Sequence, residues 1–269
     1  MEARELLRSG DVDAALAQLK QEVRKAPRDG RLRTFLFQLF CVSGEWERAL
    51  NQLATAAELD PAALPMAQAY RAAIRCEVLR EQVFAGRRTP TVFGEPEAWM
   101  SLLVEANRRL AAGALAEAES LRDAAFADAP ASGGRIVSGA DDAERGFDWI
   151  ADADSRLGPM LEAIVEGKYY WVPFHRLRTL TIEPPADLRD QIWMPAHFVW
   201  ANGGEAVGFV PTRYPGSQQA SAPLALARRT EWTERGGFAL GLGQRMFATD
   251  AEEVALMDLR RLEIVAEQG

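Results

Sequence analysis

Lysine is almost missing from this chain, occurring only as Lys20, Lys25 and Lys168, so its 31 basic residues are nearly all arginine. Arginine's planar fork suits bidentate pairing with carboxylates better than diffuse attraction. The 39 acidic residues leave a formal charge of −8, and both halves are acidic. No concentrated basic stretch suited to a phosphate backbone is visible, so nucleic acid is not an expected partner. Histidine and cysteine occur twice each. His175 and His197 have no metal-ligand spacing with each other or with a carboxylate, and Cys41 and Cys76 fall within helical patterns as buried apolar filler. No metal and no cofactor is expected. No apolar run approaches a membrane span, and Met1 to Arg8 is charged from its second residue, so a cytoplasmic protein without a membrane partner is expected. Nucleophile-elbow, zinc-protease and phosphate-loop patterns are missing, which argues against an enzyme. Gly241-Leu-Gly243 lacks the third glycine of a dinucleotide fingerprint and reads as a turn.

What the sequence does have is an internal repeat. Ser9-Gly10-Asp11 precedes Ala15 and Pro27, Ser43-Gly44-Glu45 precedes Ala49 and Pro61, and Ala112-Gly113-Ala114 precedes Ala118 and Pro130. In each segment the Ala lies five residues after the Gly and the Pro seventeen after it. The first two registers are 34 residues apart, the tetratricopeptide period, and the third follows after 69. Each position has a physical role. Gly permits the tight turn, Ala lets paired helices approach, and Pro stops the second helix. A degenerate unit fills the gap as one helical pattern from Ala62 to about Ala85, followed by a loop from Gly86 to Pro96. The first helix of each pair lines a concave groove suited to a helix or an extended peptide. By register, Arg31, Thr34 and Gln38, then Leu103 and Asn107, are the candidate partner-binding residues.

The expected fold class is therefore α+β, with a tetratricopeptide-like helical array over residues 1–130, a linker at 131–146 and a smaller α+β domain with a mainly antiparallel sheet at 147–269. The linker rests on the Gly, Ser and Pro of the stretch from Asp128 to Asp142. Met160 to Val165 reads as a helix. Lys168 to Phe174, Leu177 to Ile182, Met194 to Trp200 and Ala206 to Val210 read as strands, with Asn202-Gly203-Gly204 as a hairpin turn. Asp152, Asp154, Arg156, Arg213, Glu231 and Arg245 admit two readings. One is a structural network of ion pairs that fixes the domain's geometry; the other is the site of a small-ligand sensor or enzyme.

Several stretches carry a resemblance. Phe147-Asp-Trp-Ile-Ala-Asp-Ala-Asp-Ser-Arg-Leu-Gly-Pro159, Gly167-Lys-Tyr-Tyr-Trp-Val-Pro-Phe174, Pro184-Pro-Ala-Asp-Leu-Arg-Asp190, Pro211-Thr-Arg-Tyr-Pro-Gly216, Ala227-Arg-Arg-Thr-Glu-Trp232 and Gly241-Leu-Gly-Gln-Arg-Met246 resemble the ImpE family, also called TagJ or SciE-type proteins, which accompany type VI secretion systems. The resemblance implies an accessory adaptor that binds the small sheath subunit, through that subunit's amphipathic N-terminal helix, and the AAA+ ATPase ClpV. It brings no catalytic residues.

Overall fold

A computed structural model describes residues 2–139 and 143–265 of the chain. Its first half is helical: α1 (Ala3–Arg8), α2 (Val12–Lys25), α3 (Gly30–Val42), α4 (Trp46–Leu59), α5 (Leu64–Phe84), α6 (Ala98–Ala111) and α7 (Leu115–Asp128). The helices α1 and α2, α3 and α4, and α6 and α7 pack as hairpins. Gly10, Gly44 and Gly113 make the three turns, all at positive φ. Ala15, Ala49 and Ala118, five residues on, are fully buried where paired helices meet. Asp11 and Asp29 cap α2 and α3 by accepting backbone N–H groups. α5 is longer and buries Tyr70, Ala73, Glu77 and Arg80 along one stripe, at three- and four-residue intervals.

The second half is built on strands. They are β1 (Thr91–Val92), contributed by the loop after α5, then β2 (Gly134–Ser138), β3 (Glu144–Phe147), β4 (Ile150–Asp152), β5 (Met160–Val165), β6 (Lys168–Pro173), β7 (Leu177–Ile182), β8 (Trp193–Trp200) and β9 (Glu205–Pro211). After a short helix, α8 (Ala222–Ala225), come β10 (Thr230–Arg235), β11 (Phe238–Gly243), β12 (Met246–Thr249), β13 (Glu253–Ala255) and β14 (Leu259–Ile264). Among the described residues, nine strands form the main sheet in the order β1-β6-β5-β9-β8-β7-β14-β2-β3. All neighbours run antiparallel except β1 beside β6. The fold is α+β, and the Asn202-Gly203-Gly204 hairpin joins β8 to β9 with Gly203 at positive φ.

Three expectations are corrected. Met160 to Val165 is a strand: its first four residues are good helix formers, but β6 and β9 flank it and all six are buried, so tertiary pairing overrides propensity. The missed signal is Glu166-Gly167, both at positive φ, which closes a two-residue hairpin into β6. The expected linker at 131–146 contains β2 and the first three residues of β3, strands that extend the sheet beyond β14; residues 140–142 of it lie outside the described residues. Gly241 and Gly243 belong to β11, and a Cβ on Gly241 would sit 2.3 Å from the Tyr214 ring, so glycine is required there for close approach.

The two halves share one hydrophobic core. Tyr70 of α5 meets Trp193 at 5.7 Å and Phe209 at 5.3 Å between ring centroids, Trp46 reaches the same Trp193, and Phe84 packs on Trp171. This intimacy extends to the turns. A Cβ on Gly44 would lie 2.6 Å from Cγ of Gln218, whereas one on Gly113 would meet nothing within 4 Å, although both residues hold positive φ. Gly113→Ala should therefore cost about 1–2 kcal/mol of backbone strain. Gly44→Ala should cost more, because Gln218 must also move; equal midpoints for the two variants in chemical denaturation would contradict that ordering.

Candidate functional site

The charged set gathers around a residue that no sequence pattern singles out, Glu162 on β5. Arg80 reaches it from α5, its Nε and Nη2 donating to the two carboxylate oxygens at 2.6 and 2.7 Å. Arg245 donates to Glu162 with one arm and to Asp152 with the other, while its Nε donates to the Pro211 carbonyl at 2.9 Å. The Tyr169 hydroxyl donates to Glu162 and accepts from Trp171 Nε1 at 2.7 Å. Arg80 also bonds the Arg213 carbonyl at 2.8 Å and pairs with Glu77, whose other oxygen accepts from Trp193 Nε1 at 3.0 Å. Asp152 accepts further bonds from the Tyr214 hydroxyl and the Asp154 N–H. Asp154 pairs with Arg156 and accepts the Gly241 N–H at 2.8 Å.

Each member of this set of three arginines and four carboxylates faces an opposite charge, and a fourth arginine lies beside it. Arg213 meets no carboxylate directly among the described residues. It donates to the carbonyls of Cys41 and Val42 at 2.8 Å, at the C-terminal end of α3, and to Ala225. A cation there complements the helix dipole and satisfies carbonyls the helix leaves free. Burial lowers its pKa to about 10, still cationic at neutral pH. Burial alone would raise the Glu162 carboxyl; Arg80 and Arg245, helped by the Tyr169 hydroxyl, outweigh it and hold the pKa at about 2. At Asp152 burial prevails over Arg245, Asp154 adds repulsion, and the pKa is pushed up to about 6. Glu231 stands apart from the network: it is exposed on β10 and pairs with Arg229. Chemically, the arrangement neutralises its own charges and ties α5 and α3 to the sheet.

The groove residues divide. Arg31, Thr34 and Gln38 line one open cleft of about 980 Å³. It runs between α1, α3 and the end of α4, with residues 186–188 of the second half as its far wall. Gln38 Nε2 donates to Asp187 across that wall at 3.0 Å, and the Thr34 hydroxyl is turned back to the Gly30 carbonyl. Leu103 is fully buried in the shared core, and Asn107 Nδ2 donates to the Arg156 carbonyl at 2.7 Å. The second half thus covers that stretch of α6. His175 pairs with Glu97 beside Arg176, and His197 with Glu205. Cys41 and Cys76 are unbridged and buried. Among the described residues no group of His, Cys, Asp and Glu is arranged to hold a metal ion, and no helix is long and apolar enough to cross a membrane.

Comparison with known proteins places these features in a lineage. A family model described as ImpE protein matches residues 144–263. A Pseudomonas aeruginosa protein named type VI secretion system accessory component TagJ is 49% identical over 264 residues, covering 98% of this chain and 91% of that one. The chain belongs to the ImpE family. A Vibrio parahaemolyticus protein solved by X-ray crystallography has 27% identity and a TM-score of 0.88, covering 99% of this chain and 98% of its own. The family match begins at β3, while both relatives span the helices as well as the sheet. The arrangement of both halves is therefore shared with the Vibrio structure.

Removing one member of a buried network leaves charge under-compensated, so Glu162→Gln, which leaves Arg80 only Glu77 and Arg245 only Asp152 as carboxylate partners, should destabilise the fold by about 3–5 kcal/mol at neutral pH. Because the folded pKa is depressed to about 2 from 4.5, wild-type Glu162 contributes stability that is present above pH 4.5 and lost as pH falls towards 2. The difference between wild type and Glu162→Gln in urea denaturation should accordingly shrink on acidification; a difference independent of pH would contradict the assignment.

Proposed function

We propose that this chain is an accessory protein of a type VI secretion system, acting in the cytoplasm as a non-catalytic adaptor. In this reading it binds the small sheath subunit through that subunit's amphipathic N-terminal helix, binds the ClpV ATPase, or both, and thereby modulates sheath disassembly. The observation that carries the reading is the 49% identity to the accessory component TagJ, sustained over nearly the whole of both chains.

The geometry supports a binding role. The three hairpins, with glycine at each turn, alanine at each helix contact and proline after each second helix, are read as tetratricopeptide-like units over residues 1–130, with residues 147–269 as the ImpE-type unit beside them. Arrays of this kind offer a concave face to helices and peptides. Here the face stays open around Arg31, Thr34 and Gln38. Joining two partners on one scaffold raises their effective concentration, so a modest affinity at each site suffices. The Asp152, Asp154, Arg156 and Arg245 side chains pair with one another and with Glu162, which favours a structural role for them over ligand capture.

Calorimetric titration of the full chain with a peptide of the sheath small subunit's N-terminal helix should give saturable binding at about micromolar affinity, the range of transient helix-in-groove contacts. Absence of heat and of pull-down at high micromolar peptide would refute the sheath-binding step.

A further inference from the structure

The hairpin of β10 and β11 stands apart from the main sheet as a two-stranded ribbon, and its two edges differ. Gly236 and Gly237, both at positive φ, close it in two residues, so Arg235 and Phe238 form a hydrogen-bonded pair and inward and outward backbone groups alternate from there. On β11 the outward groups belong to Ala239, Gly241 and Gly243, and all three residues are engaged. Ala239 exchanges bonds with Ser155, Gly241 donates to Asp154, and Gly243 donates to the Ser217 hydroxyl and accepts from the Tyr214 N–H. On β10 the outward groups belong to Thr230, Trp232 and Glu234, and among the described residues these N–H and C=O groups meet no partner.

At six residues β10 is a longer edge than β1, β3, β4 or β13, which end the other two sheets with two to four residues each. Protected edges carry a proline, a lysine or a bulge; β10 has none of these and pairs with β11 without a shift of register. The ribbon is firmly held. Arg122 of α7 donates to the Gly237 carbonyl at 2.6 Å and lies 4.5 Å from the Phe238 ring, while Trp232 packs on Tyr214 at 5.6 Å between ring centroids. Every residue from Glu231 to Arg235 is exposed. A pre-formed strand with free outward groups takes up another strand at little ordering cost.

The charges on β10 select which strand fits. Two antiparallel copies share bonds only where outward residues face outward residues, so a central two-fold axis passes through Trp232, Thr233 or Glu234. Of these, only the axis at Thr233 sets Glu231 of each copy opposite Arg235 of the other, on both sides of a Thr233–Thr233 pair. It also pairs Trp232 with Glu234 through the outward groups and makes the two Trp232 rings diagonal neighbours. Glu231 already contacts Arg229, but both side chains are about half exposed, and such a pair contributes too little to withhold the carboxylate.

We infer that β10 is a self-association edge, at which two copies of this chain join antiparallel about Thr233 into a four-stranded sheet ordered β11-β10-β10-β11. The interface is small and both chains are acidic, so the dimer is weak, with a dissociation constant of about 100 μM. The inference is independent of the adaptor reading and stands or falls without it.

Sedimentation velocity on the full chain tests it, over about 5 to about 500 μM, with a reversible rise from monomer towards dimer expected. Glu234→Pro removes one outward N–H at an edge position where proline is tolerated; it should stay monomeric throughout, with wild-type circular dichroism and melting. Glu231→Arg and Arg235→Glu, taken singly, each set like charges opposite one another and should weaken association about fivefold or more. An equimolar mixture of those two variants should recover it, because each copy then meets the opposite charge at both positions, a result specific to the Thr233 register. Should Glu234→Pro fail to fold, the charge variants, both at exposed positions, decide the matter. Three results would overturn the inference: a chain still monomeric at about 500 μM, a dimer indifferent to Glu234→Pro, or a mixture associating no better than its components. So would a fluorescent Thr-Val repeat peptide that binds this edge as tightly as the chain binds itself, which would make β10 a general strand acceptor.

Discussion

The bonds between Arg80 and Glu162 hold the rest of the molecule in register. Arg80 projects from the long helix α5 and Glu162 from the sheet, and both side chains are buried. A buried charge is costly unless paired, and although Glu77 and Arg245 each pair within their own half, Arg80 and Glu162 keep their bidentate contact only while both halves are in place. Arg245 extends the same requirement to Asp152, and Arg213 extends it to the end of α3. Such a network adds little net stability compared with a well-packed apolar seam. It does penalise misplacement heavily, because a slipped interface strands several charges together. The aromatic seam around Trp193 supplies the burial that the ion pairs do not.

The packing of the two halves leaves only part of the helical surface open. A helical array standing alone would present its inner face along its whole length. Here the second half occupies it at α6, where Leu103 is sealed into the core and Asn107 serves the Arg156 backbone. The end near α1 and α3 stays open, and even there the loop around Asp187 forms a wall. The open cleft is thus lined by both halves of the chain.

Local features were legible in the sequence and distant ones were not. The turns at Gly10, Gly44 and Gly113 could be read because positive φ and close helix contact constrain residue type within a few positions. Arg31, Thr34 and Gln38 could be placed on one face by counting back from Gly44, since helical periodicity is itself local. Asp152, Asp154, Arg156 and Arg245 stood out as a charged set, yet their anchor did not. Glu162 sits in Met160 to Val165, a run that opens with four good helix formers and whose strand state follows from its neighbours in the sheet. Its partners lie 82 and 83 residues away, in α5 and beside β12, beyond the reach of any local pattern. Glu231 was drawn in by charge alone, and its strand turns it to solvent. Leu103 is buried in the shared core and Asn107 bonds the Arg156 carbonyl, because register predicts a face of a helix, not what covers that face.

The central claim is that helices and sheet form one cooperative unit, sealed by the Arg80–Glu162 bonds, and native-state hydrogen exchange tests it most directly. The amides of α5 and β5 should open together, with the same free energy and the same denaturant dependence, equal to those of global unfolding. Opening of α5 at distinctly lower free energy while β5 stays protected would contradict it, leaving the two halves as separate modules that merely touch.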